Sequence, residues 1–170
     1  MQESWLRLQL PFPDLLREEN GLACPYFMPL EKIENGNWPH PSRLPLGCGW
    51  SGHCTAPGHQ EQTPSQDVLE AFCNLGYASS CTWAPRQRAW DAIRFAVNPP
   101  LGSRDKSLGS RDEASRVLRL TYVCEREHRP VESGELEFDI AKAAWSKRHA
   151  DPRIQKMAEC FLESYLKKKS

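Results

Sequence analysis

The chain has 170 residues, and its 22 lysines and arginines are balanced by 22 aspartates and glutamates, so the formal charge is zero. That balance leaves no bulk electrostatic footprint for nucleic acid or an acidic membrane. No apolar run approaches the roughly 20 residues that a membrane span requires.

The length suits one domain with a modest core, expected over residues 1–170. It divides into a cysteine-rich loop and helix half at 1–85 and a strand-strand-strand-helix half at 86–170. The first twenty residues carry Glu3 and two prolines where a secretory signal needs an apolar stretch, so a cytoplasmic, reducing location is expected.

Residues 24–64 hold seven of the fourteen prolines, several glycines, and neither helical nor strand periodicity. Trp38, Leu44, Leu46 and Trp50 nevertheless want burial, which argues against disorder. An irregular loop with aromatic anchors and several thiols is what a metal staple can hold. Such a centre supplies on the order of 10 kcal/mol or more of folding free energy in small zinc domains.

A helix follows. Thr63 is its expected cap, Pro64 its first residue, and Gln66 the far end of a capping box. Val68, Leu69, Phe72 and Leu75 form its apolar side, and Gly76 is the expected left-handed stop. Cys73 points inward from the last turn, and Cys81 lies in the next loop, close enough in sequence to return beside it. "RQRAW", residues 86–90, reads as a solvated segment leading into a strand.

The second half reads as α+β. "AIRFAVN" alternates Ile93, Phe95 and Val97 and predicts a strand. Residues 99–115, in which LGSRD occurs twice, predict a polar, mobile loop. "RVLRLTYVCERE" places Leu118, Leu120, Tyr122 and Cys124 on one strand face. "RPVESG" reads as a turn and "ELEFDI" as a third strand of an antiparallel meander. Asp151 caps a last helix that starts at Pro152. Its face of Ile154, Met157, Ala158, Phe161, Leu162 and Tyr165 is expected to cover the sheet. The lysines of "LKKKS" suit the helix dipole.

Seven cysteines carry the functional question: Cys24, Cys48, Cys54, Cys73, Cys81, Cys124 and Cys160. An odd count in a chain expected to be cytoplasmic points to metal or redox chemistry rather than a disulfide framework. Cys124 reads as a small core hydrophobe. Cys160 lies about 120° from the apolar centre of its helix, at an edge or reaching beneath the irregular half.

The other five fall within residues 24–81. Thiolates are soft ligands for zinc, copper(I) and iron–sulfur clusters. Structural zinc sites pair ligands two to four residues apart, a spacing absent here. Single thiols from separated points suit a multi-iron cluster with several coordination corners. The expected ligands of one [4Fe–4S] cluster are Cys24, Cys54, Cys73 and Cys81, with Cys48, His53 and Cys160 as alternates and Trp50, Tyr77 and Trp83 as shields against water. The competing expectation is a zinc-stabilised protein-interaction module.

Several segments carry a family likeness: "LACPYFMPLEK", "RLPLGCGWSGHCTAP", "FCNLGYASSCTWAP", "DAIRFAV", and later "LEFD" and "ECFLESYL". The chain resembles a family of small, uncharacterised bacterial cysteine-rich proteins. The resemblance implies that Cys24, Cys54, Cys73 and Cys81 are the recurrent thiols and Cys48 a less dependable one; it supplies no mechanism.

The enzyme reading is thin, since phosphate-cradling glycine motifs, HExxH and a nucleophile elbow are all missing from the sequence. A Cys/His pair could be drawn from Cys54 with His53 or His59, but such a pair needs spatial placement. The expected function is therefore electron transfer or redox sensing with an unidentified redox or protein partner.

Overall fold

The computed structural model describes residues 22–34, 38, 44–98 and 117–169. The loop expected at 99–115 lies outside them, as do residues 1–21. The architecture is α+β, with two antiparallel sheets and a long C-terminal helix.

The larger sheet has four strands, in the order β3 (Ala92–Asn98), β4 (Val117–Arg126), β5 (Arg129–Asp139) and β6 (Ala144–Lys147). Its register explains the alternation seen in the sequence. Ile93 pairs with Cys124, Phe95 with Tyr122, and Val97 with Leu120, which in turn faces Leu136. These cross-strand pairs make one apolar face, and period-two side chains put them there. Gly134 opposite Tyr122 is required by space, because a Cβ there would lie 2.7 Å from the Tyr122 hydroxyl.

Two expectations about this sheet are corrected. It has four strands rather than three, β6 having been missed, and "RPVESG" is strand rather than turn. The reversal sits earlier, at Glu127 and His128, both at positive φ (52° and 61°). Neither residue is a usual choice there. Tertiary bonds hold them: the Glu127 N–H donates to Asp91 Oδ2 at 2.7 Å and the His128 N–H to the Tyr77 hydroxyl at 2.5 Å.

The smaller sheet pairs β1 (Phe27–Ile33) with β2 (Gly49–Cys54), Phe27 standing opposite Cys54. It corrects the expectation of an irregular, metal-held first half, since strand pairing orders part of that segment. A bridge between Ala23 and Ile93, with both N–H···O bonds at 2.9 Å, joins it to the edge of the larger sheet.

The helix expected from Thr63 is short and distorted. Helix α1 (Gln66–Val68) starts after Ser65, which makes no side-chain cap bond, and then widens into a π-helical turn at Leu69–Cys73. The expected capping box is thus absent. Gly76 ends this segment by closeness rather than by a left-handed φ: a Cβ would meet the Phe72 Cα at 2.2 Å and the Ala71 carbonyl oxygen at 2.3 Å. A single 3-10 turn, Ala78–Ser80, follows.

Helix α2 (Pro152–Lys169) begins as expected, with Asp151 Oδ1 accepting from the Arg153 N–H at 2.9 Å. Ile154, Met157, Ala158 and Leu162 are buried, and the Phe161 ring lies 5.8 Å from that of Phe95. The helix packs on β1 as well as on β3, so its apolar surface is wider than one stripe. Cys160 is buried within it and Ser164 beside it. Among the described residues, no helix is long and apolar enough to cross a membrane.

Candidate metal centre

Cys24 stands just before β1. The hydrogen-bonded Ala23–Ile93 bridge fixes the preceding residue, and the Phe27 N–H returns to the Cys24 carbonyl at 3.1 Å. Cys54 ends β2. Its own N–H donates to the Gln62 carbonyl at 2.9 Å, and the next residue's N–H donates to the Tyr26 carbonyl at 2.7 Å. Cys73 ends the π-helical turn, where its carbonyl accepts from the Cys24 N–H at 3.3 Å. Cys81 follows the 3-10 turn in extended backbone, its N–H bonded to the Ala78 carbonyl at 3.1 Å.

These four carriers deliver their thiols to one place. Cys24, Cys54, Cys73 and Cys81 line a single small pocket with Tyr26, Phe27, Ala56, Val68, Trp83 and Ala84. Three of the thiols are buried and Cys81 is half-buried, which puts it at the mouth. Trp83 is beside it, its ring stacked on His59 at 4.7 Å and nearly parallel. Among the described residues, no charged side chain lines the pocket.

The electrostatics report the same convergence. Burial pushes the Cys24 thiol up to about 12, with the nearby Cys81 and Cys54 sulfurs adding to it and the Tyr26 and Phe27 N–H groups working against it. Cys73 is raised by burial and then by Cys24, Cys81 and Cys54. Burial raises Cys54 as well, opposed by the Ala56 N–H, which donates to its sulfur at 3.4 Å. Cys24, Cys54 and Cys73 each feel the Cys81 sulfur, and Cys73 feels the other three. Backbone N–H donors aimed at two of the sulfurs favour thiolate over thiol.

The convergence is loose in one respect. Among the described residues, no three His, Cys, Asp or Glu side chains gather tightly enough to hold a single metal ion. A tetrahedral zinc at 2.3 Å from each sulfur would bring the sulfurs to about 3.8 Å from one another.

The remaining expectations fall elsewhere. His53 lies within β2 and does not line the pocket. Among the described residues, the His59 ring meets Trp83 and, through Nδ1, Gln62 Oε1 at 3.0 Å. Cys48 and Cys160 are also outside the lining. Of the three expected shields only Trp83 is present: Trp50 is buried in the core, and Tyr77 stacks on His128. Cys124 is fully buried in the sheet core.

One residue that shapes the site had no signal of its own. Asn74, only 1 % exposed, follows Cys73 and clamps it to β2. Its Oδ1 accepts from the Trp50 N–H at 3.0 Å, while its Nδ2 donates to the Trp50 carbonyl at 2.9 Å and the Leu69 carbonyl at 3.2 Å. The adjacent "CN" pair in "FCNLGY" was the only hint, and an asparagine next to a cysteine reads equally well as a turn residue.

No protein-family model, curated protein or solved structure matches the chain. The assignment of function therefore rests on the pocket.

Proposed function

We propose that the chain binds one [4Fe–4S] cluster through Cys24, Cys54, Cys73 and Cys81 and uses it for electron transfer or redox sensing. The observation that carries this reading is the shared pocket, which four thiols from four separate segments line. A cubane presents its cysteines at separate corners and keeps their sulfurs farther apart than a zinc ion does. The apolar lining suits a cluster, because burial and N–H···S bonds set its potential. Cys81 and Trp83 mark the side on which electrons would enter or leave.

The test is anaerobic purification with metal and acid-labile sulfide analysis and absorption spectra before and after dithionite. The expected result is iron and sulfide in equal amounts with a visible band that bleaches on reduction. A colourless protein carrying stoichiometric zinc would overturn the reading in favour of a zinc-stabilised interaction module.

A further inference from the structure

We propose that Cys48 and Cys160 form a second thiol pair, separate from the four-cysteine pocket, which a hydroperoxide converts into an intramolecular disulfide. The two are 112 positions apart in sequence, and the fold brings the Cys48 loop against helix α2 at the turn that carries Cys160. Gly47 makes the approach possible. It adopts φ +77°, and a Cβ on it would stand 2.6 Å from the Ser164 Cβ.

The Cys48 sulfur lies 3.2 Å from Ser164 Oγ, and that hydroxyl also donates to the Cys160 carbonyl at 3.1 Å. Residues four apart on a helix share a face, with Cβ atoms about 5–6 Å from each other. Cys48 is thus held over the turn between Cys160 and Ser164. The proposed bond requires side-chain rotation with a shift of the Cys48 loop that brings the two sulfurs together in disulfide geometry.

The two thiols differ in access, and the difference assigns their roles. Cys48 is half-buried and meets the oxidant first, whereas Cys160 is 2 % exposed. Burial pushes the Cys160 thiol up to about 12, and the Cys48 sulfur is among the charges that raise it further. In the first step the Cys48 thiolate attacks the peroxide. The O–O bond breaks, one oxygen stays on sulfur as a sulfenic acid, and the other leaves as water or an alcohol after taking a proton. In the second step the Cys160 sulfur attacks the sulfenic sulfur, the S–O bond breaks, and the hydroxide leaves as water with the Cys160 proton. The pair loses two electrons and the peroxide gains them.

The experiment treats the reduced full-length protein with one equivalent of hydrogen peroxide under anaerobic conditions. Free thiols are then alkylated and the digest is mapped by fragment-ion mass spectrometry without reductant. The expected product links Cys48 to Cys160 within one chain. With Cys160→Ser, Cys48 is expected to be trapped as a dimedone adduct of its sulfenic acid, and Cys48→Ser is expected to keep the metal content of the unmodified protein. Alkylation of both Cys48 and Cys160 after peroxide overturns the proposal. So does a bond from Cys48 to a pocket thiol or to a second chain.

Discussion

Asn74→Ala is expected to damage both stability and metal content although it removes no ligand. The side chain makes three hydrogen bonds in a site that is 1 % exposed. Its loss leaves the Trp50 N–H and carbonyl without this partner in the interior. The Leu69 carbonyl keeps the Asn74 N–H at 2.9 Å, so it is not counted. An orphaned buried group costs about 1–3 kcal/mol, which puts the two together at about 2–6 kcal/mol, a large share of a typical folding free energy of about 5–15 kcal/mol. Urea denaturation gives the stability change, and metal analysis of the purified variant gives the coupling to the pocket. Asn74→Asp refines the test. A buried carboxyl facing two carbonyls needs its proton to donate, so its folded pKa lies above the unfolded value near 3.9. Stability is therefore retained below that value and is lost as pH rises through the folded pKa. A stability change in Asn74→Ala of less than about 0.5 kcal/mol, the scale of an ordinary surface substitution, with full metal content, would refute the clamp.

Replacing any one of Cys24, Cys54, Cys73 or Cys81 by alanine is expected to abolish the metal centre, as read by iron content. Cys124→Ala should keep it at a stability cost on the order of 1 kcal/mol. Metal affinity in the apo protein should rise with pH, because Cys24 and Cys73 are held up by burial and binding must release their protons; a titration at constant ionic strength that shows no pH dependence would contradict this. Acid sensitivity should centre on Asp91. Burial pushes its carboxyl up, but the Glu127 N–H and the Arg88 guanidinium outweigh it and hold the carboxyl below its usual range. A lowered folded pKa gives stability present above the unfolded value near 3.9 and lost as pH falls through the folded one. The gap in stability between wild type and Asp91→Asn should therefore shrink as the pH is taken below about 4, as followed by urea midpoints.

Periodicity was informative where elements obey it with ordinary residues. Strand β3 and helix α2 were legible because Ile93–Phe95–Val97 and Ile154–Met157–Ala158–Phe161 repeat at the periods their structures demand. Strand β2 hides the same alternation. Trp50, Gly52 and Cys54 are buried while Ser51 and His53 are half-buried, but glycine and cysteine do not read as an apolar face. Strand β1 contains Pro29 and a register shift between Pro29 and Glu31, which local propensity takes as evidence against a strand. The Glu127–His128 turn depends on Asp91 and Tyr77, residues 36 and 51 positions away, so no local rule could find it. The π-helical turn is held partly by Asn74, whose N–H reaches back to Leu69. The four pocket thiols were found by counting cysteines and asking which had another explanation. The backbone bonds that aim them were invisible.

Those backbone bonds bear on what the proposed cluster would have to do. The Cys24–Cys73, Thr55–Tyr26 and Cys54–Gln62 bonds, together with the Asn74 clamp, position three of the four sulfur carriers through protein contacts alone. The pocket is therefore a preformed cradle more than a set of loose ends awaiting a staple. In its protonated form it is a cluster of small neutral hydrophobes, which suits burial without a partner. In its ionised form it concentrates thiolates in an apolar lining, where Cys24, Cys81 and Cys54 all raise Cys73. Four N–H donors, two at Cys24 and two at Cys54, do not compensate that much charge at such burial. An iron–sulfur core does, because its iron charges sit among the sulfurs. The backbone bonds thus hold three of the four carriers in a neutral empty state, and the proposed cluster would supply the compensation that ionised thiols lack.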